Sequence, residues 1–210
     1  MNRTKQIDVK IGTIVLIVFL AAWGLAVAAA AHAGVFQAIK PLYFGPLVAA
    51  GIVVPFLIYL LIPDVHQYFA KIGVYPLTVW HIWRIPAALA FFWYGLHNQL
   101  PPAFWLLAGV GDFLAGLNAL PMLKGRASDD VYFRIHRFGF ADFVVAVGTG
   151  LLYTLLNDPR MATIRELPMV LIPLFGVGIS GASHLIAFDL LRRKRNEVSQ
   201  EQMPRIRAAE

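Results

Sequence analysis

Six long apolar stretches set the rhythm of the chain, over residues 11–33, 43–62, 77–97, 102–123, 133–156 and 167–191. Each has the length of a bilayer-spanning α-helix, which needs roughly 20 mostly apolar residues. Between them lie short connections rich in turn formers or charge: "KPLYFGP", "PDVHQYFAKIGVYP", "NQLPP", "KGRASDD" and "NDPRMATIRE". Proline collects at the ends of the apolar runs because it drives the preceding residue out of helical space. Pro55, Pro86 and Pro173 fall inside the runs instead. Each is expected to free a carbonyl one turn earlier and to kink its helix. The segment "VHQYFAKIGVYP" carries the Tyr and Phe anchors of a short interfacial helix. The pattern predicts an all-α fold, a polytopic bundle of six transmembrane helices.

Composition agrees with this picture. The chain is 59% hydrophobic and 14% charged, whereas roughly half apolar and a quarter charged is usual for a soluble domain. It has no cysteine, which excludes disulfides, iron–sulfur ligation and thiolate zinc sites. The net charge of +6 is scattered over connections and gathered near the C-terminus, as topology rather than nucleic-acid binding requires. Arg3, Lys5, Lys10, Lys71, Lys124, Arg126, Arg192, Arg193, Lys194 and Arg195 fall on one side of a six-helix bundle, against Lys40, Arg160 and Arg165 on the other. Both termini are therefore expected in the cytoplasm, in a multi-pass protein of the inner membrane. Ala31-His32-Ala33 resembles a signal-peptidase site, but the apolar run before it exceeds a signal h-region of roughly 7–15 residues, so the first helix is expected to be retained. Residues 1–191 then form the transmembrane domain. Residues 192–210 are a basic cytoplasmic tail, expected to extend the last helix and then to lack order.

Against the apolar background four polar residues stand out: Arg84, Asp112, Asp142 and His184. A charge near the bilayer centre is costly, so such groups face the bundle interior and pair. Because successive helices run in opposite directions, the four converge at similar depth. Each lies on a stripe of small residues at helical spacing: His81, Arg84, Ala88, Phe91 and Gly95; Ala108, Asp112, Ala115 and Ala119; Gly139, Asp142, Ala146 and Thr149; Gly176, Ser180, His184 and Ala187. Small residues let helix backbones approach closely. Arg84 is the expected counter-ion of Asp112. One arginine does not neutralise two carboxylates, so one carboxyl is expected to be protonated or shared with His184. A buried Arg–Asp pair also serves as a plain fastener of helix register, so the cluster has a structural as well as a functional reading. Asp189, near the helix end, is expected to be solvated.

The histidines raise two cofactor readings. His32 and His97 sit near the outer ends of the first and third helices, while His81, His136 and His184 sit in the inner half of the third, fifth and sixth. Two such layers resemble a di-haem layout with axial imidazoles, in which haem b is one candidate while the cofactor stays open. Against it, His32 and His97 border connections, and His81 and His136 are expected near the interface. A zinc site would draw on His81, His136, His184, Asp112 and Asp142, without a His-x-x-x-His pair to mark it. "GVGDFLAG" lies inside an apolar stretch with no preceding strand, so it is not a dinucleotide-binding turn.

The succession "WHIWRIPAALAFFWYG", "LPPAFWLLAGVGDFLAGLNAL", "RFGFADFVVAVGTG" and "LPMVLIPLFGVGISGASHLIAFDLL" resembles an uncharacterised family of bacterial multi-helix integral membrane proteins. The matching positions are Arg84, Gly109 to Asp112, Phe138 to Asp142, Pro173 and His184, spread over roughly residues 80–191. His81 departs from the pattern, which has Gln or another polar residue there. The resemblance implies a membrane bundle and carries no activity. From the residues themselves the expected function is non-enzymatic: binding or translocation of a proton, ion or small solute through Arg84, Asp112, Asp142 and His184. Two alternatives stand beside it, a haem-binding or accessory subunit of a respiratory or photosynthetic complex, and a purely structural membrane subunit. The expected partners are the lipid bilayer and either a larger membrane complex or further copies of the chain, not nucleic acid.

Overall fold

In the computed structural model, which describes residues 8–207, the described backbone is helical with short connections and no strand. Helix α1 (Val9–His32) starts at Asp8, whose carboxylate accepts the Lys10 N–H at 2.8 Å and so satisfies one of the orphan donors of the first turn. Gly34, at φ 75°, turns the chain into the short α2 (Val35–Ala38). Helices α3 (Pro41–Leu61), α4 (Pro63–Ile72) and α7 (Pro102–Ala119) each begin on proline, where the missing N–H would be unpaired in any case. Helix α8 (Asp129–Leu155) opens on Asp129 and Asp130, which the positive end of the helix dipole favours. A π-helical turn (Ile172–Gly176) then feeds α9 (Val177–Arg207). It falls at Pro173, which lacks the N–H that a regular ladder needs.

Five helices are long and apolar enough to cross a membrane: Val9–His32, Pro41–Leu61, Pro102–Lys124, Asp129–Leu155 and Ile172–Glu197. Their outward sides expose large aliphatic residues, among them Ile14, Val18, Leu57, Val144 and Leu152. Apolar exposure on this scale marks a chain whose solvent is lipid. The third apolar stretch is interrupted close to where Pro86 predicts a kink. It is divided into α5 (Val74–Trp80), a 3-10 turn (His81–Trp83) and α6 (Arg84–Leu96). The proline ring of Pro86 collides with the carbonyl four residues back and removes a ladder donor, so the helix tightens just before it. As expected of the aromatic-anchored connection, α4 forms a separate short helix after α3.

Helix α9 runs through the middle of the bundle and packs on α3 and α8, while α7 joins α6 to α8. The α3–α9 contact is backbone against backbone. A Cβ on Gly178 would lie 2.9 Å from the Gly51 carbonyl oxygen, so glycine alone permits the approach. Trp23 of α1 covers this junction and meets Phe175 edge-on at 5.7 Å. Across α6 and α7 the logic is ring into notch: Gly95 receives Trp105, and Gly109 receives Phe92. Beyond the spans, Arg160 is held by Asp158 at 2.6 Å and reaches Asn98 at 3.2 Å, tying two connections together. That guanidinium holds the Asp158 carboxyl below the usual carboxylate range.

Helix α9 continues into the tail as far as Arg207, and residues 208–210 lie outside the described part. Lys194 meets Asp129 at 2.8 Å, Arg195 meets Asp130 at 2.7 Å, and the Arg195 guanidinium lies over Phe133 at 4.9 Å. These contacts bind the extension to the start of α8. Asp189 is not simply solvated: it accepts the Tyr59 hydroxyl at 2.6 Å and the Arg193 Nε at 2.7 Å, with His66 at 3.8 Å. Tyr59 is wholly buried. Tyr59→Phe is expected to cost about 1 kcal/mol, the net worth of one hydrogen bond, because Asp189 keeps Arg193. Unfolding in detergent would show this, and a cost several times larger would mean that Arg193 does not hold the carboxylate.

Candidate functional site

The break in the third stretch builds the site. In 3-10 geometry residues i and i+3 eclipse, so His81 at the start of the turn and Arg84 just after it point the same way. Both are 1% exposed. Helix α7 adds Asp112, α8 adds His136 and Asp142 with Gly139 midway between them, and α9 adds Ser180, Ser183 and His184.

The ionic half is centred on Arg84. Its Nε donates to Asp112 Oδ1 at 2.6 Å, its Nη1 to the Gly139 carbonyl at 3.2 Å, and its Nη2 to Asp142 Oδ2. All three nitrogens are thus used, and three helices, α6, α7 and α8, are joined through one side chain. With both carboxylates ionised, two negative charges face one positive charge. Two glycines make the fit. A Cβ on Gly111 would overlap the Asp142 carboxylate, and one on Gly139 would sit 2.9 Å from His184 Nε2 and 3.1 Å from Arg84 Nη1.

The imidazole half abuts it. His136 Nδ1 and His184 Nδ1 are 2.9 Å apart, and the His81 and His184 rings stack with centroids 4.0 Å apart. Two hydroxyls fix the protons. Thr78 Oγ1 donates to the Val74 carbonyl at 3.0 Å and therefore accepts from His136 Nε2, also at 3.0 Å. Ser183 Oγ donates to the Ser180 carbonyl at 2.8 Å and accepts from His81 Nε2 at 3.2 Å. A hydroxyl has one proton to give, so His81 and His136 carry a proton on Nε2 and, as neutral rings, present bare Nδ1 lone pairs. The His184 Nδ1–H then donates to His136 Nδ1. Two buried nitrogens, His81 Nδ1 and His184 Nε2, have no hydrogen-bond partner.

The structure thus brings Arg84, Asp112 and Asp142 together, groups His81, His136 and His184 beside them, and leaves His32 and His97 apart. His184 bonds a second histidine rather than a carboxylate, because Arg84 occupies both acids and the bare α-carbon of Gly139 lets the ring pass. His81 and His136 are 1% and 0% exposed, enclosed between helices. Helix α8 begins at Asp129, so His136 lies two turns from its start. His32 and His97 are exposed at helix ends and stand apart from the three; His97 Nδ1 bonds its own helix at the Trp93 carbonyl. The three inner rings touch one another, so a porphyrin would have to part them. Thr78 and Ser183 escaped the sequence reading, although the spacing of Thr78 to His81 and of Ser180 to Ser183 is one helical turn.

The three histidines each offer a ring nitrogen within 4.8 Å of the others, a grouping compatible with a metal ion. The profile of a domain of unknown function (DUF8737) matches residues 42–192, which contain every residue of the site. No curated protein and no solved structure is matched by the chain.

Proposed function

The chain belongs to the DUF8737 family, and from that premise we propose that it is a six-pass protein of the cytoplasmic membrane that binds and moves a cation, a proton included, through Arg84, Asp112, Asp142 and His184. The broken helical run 74–96, about 35 Å at 1.5 Å per residue, has the length of a sixth pass beside the five long helices, which supports this reading. The excess of Lys and Arg on one side supports both termini in the cytoplasm. The observation that carries the functional reading is the charge imbalance in a largely buried place: two carboxylates share one guanidinium beside three imidazoles. A plain fastener needs one acid for one base. The second acid costs desolvation without a further counter-charge, and intramembrane ionisable groups of this kind mark ion and proton pathways.

Reconstitution in liposomes tests this. Vesicles holding the protein are expected to dissipate an imposed proton, sodium or potassium gradient faster than empty vesicles. Asp142→Asn is expected to slow that flux at least tenfold, with Asp112→Asn close behind. Wild-type vesicles no leakier than protein-free ones to all three ions would end the proposal, as would variants that conduct like wild type.

A further inference from the structure

The imidazole half has a feature that ion pairing with Arg84 does not use: two buried rings, His81 and His136, held from behind with Nδ1 turned inward, the first without a partner and the second against His184. We infer that His81, His136 and His184 form a binding site for a divalent transition-metal ion of the zinc class. This goes beyond the flux reading, since a resident ion is expected whether or not the protein conducts.

The geometry carries the inference in three steps. First, a metal needs unprotonated nitrogen, and the hydroxyls of Thr78 and Ser183 set that tautomer in His136 and His81 by taking the Nε2 protons at 3.0 and 3.2 Å. Hydrogen bonds of this kind behind a ligating histidine orient the ring and raise its basicity. Second, His81 Nδ1 is buried without a partner, and an orphaned lone pair in a fully enclosed place is costly unless something binds it. The proton between His136 Nδ1 and His184 Nδ1 occupies a gap of 2.9 Å. Zinc–nitrogen bonds of 2.0–2.1 Å in a tetrahedral site need about 3.3 Å between ligands, so His136 and His184 part by a few tenths of an ångström, and the His81 ring, now stacked on His184 at 12°, tilts to aim its Nδ1 at the same ion. His184 then moves its proton from Nδ1 to Nε2, which is unpartnered beside Gly139, and no proton leaves the ring. Third, the neighbouring ionic half carries one unit of negative charge when both acids are ionised. Arg84 Nη1 and His184 Nε2 both lie about 3 Å from the point where a Gly139 side chain would begin. A cation at the histidines offsets that charge. Three imidazoles without thiolate or Glu suit zinc, and also copper, nickel and iron, better than magnesium or calcium.

The test uses full-length protein in mild detergent, freed of any affinity tag, stripped with chelator and titrated with Zn²⁺ or Co²⁺. One equivalent per chain is expected, with the intense visible bands of four-coordinate cobalt(II). His81→Gln and His136→Gln are expected to lose that equivalent while eluting as wild type does. Thr78→Val and Ser183→Ala, which touch no ion, are expected to weaken it 10- to 100-fold. Binding below a tenth of an equivalent in the wild type overturns the inference, as does an equivalent that survives both glutamine variants, since exposed histidines would then hold it. Metal binding with no liposome flux leaves this site standing and removes the transport reading; flux without metal does the reverse.

Discussion

Arg84→Met is expected to be the most damaging single substitution in the chain, lowering stability by about 3–5 kcal/mol. The loss comes less from a missing attraction than from what remains. Asp112 and Asp142 have side chains only 11% and 8% exposed, and removing the guanidinium leaves two like charges in a place with little water. The Gly139 carbonyl also loses its Arg84 donor. A companion variant isolates the cause. Arg84→Met combined with Asp112→Asn and Asp142→Asn removes the charges together with their partner and is expected to recover most of the loss. Thermal or denaturant unfolding in detergent measures both. A single variant within 1 kcal/mol of wild type would show that the acids are already neutral or reach water, and the ionic centre described here would be wrong.

Gly139→Ala comes next, at about 1–3 kcal/mol, the usual cost of forcing a methyl into a filled site. Its new carbon would stand 2.7 Å from His184 Cε1 and 3.1 Å from Arg84 Nη1, so one half of the centre must yield to the other. Gly148, nine residues along the same helix, has nothing within 4 Å of an added Cβ. There Gly→Ala is expected to raise stability by about 0.5–1 kcal/mol through helix propensity alone. Opposite signs at two glycines of one helix, read by unfolding and by imidazole nitrogen NMR shifts, would fix Gly139 as the contact point. Equal effects would mean that His184 does not press on α8.

The ionic half was legible in the chain because charge inside an apolar run has few places to go. Arg84, Asp112 and Asp142 each lie on a small-residue stripe, and the stripes at Ala108, Ala115, Ala119, Gly176 and Ala187 are buried as that spacing requires. Of the imidazole half, the three residues His81, His136 and His184 were legible as one inner layer, but their contacts were not, for two physical reasons. Histidine fits interface, core and ligand roles alike, so which rings touch depends on helix rotation and boundaries, the least certain features of any pattern. Pro86 marks a kink, but 3.6-residue periodicity does not say that the turn at His81 tightens to 3-10 geometry. Thr78 and Ser183 gave no signal of their own, because a hydroxyl in an apolar helix most often bonds its own backbone, as Thr149 and Thr154 do here.

The short turn at His81–Trp83 also divides the molecule mechanically. Arg84 keys α6, α7 and α8 together through strong ionic bonds, whereas the side chains of this centre that bridge to α9 do so through one imidazole pair, one serine and the Trp83–Ser180 bond at 2.9 Å. Rotation of α9 therefore breaks the ring contacts first and leaves the guanidinium trio intact. Outside this centre α9 is held to α3 by the close Gly51–Gly178 approach and by the Tyr59–Asp189 bond, so it is the imidazole end alone that lacks ionic ties to its neighbours.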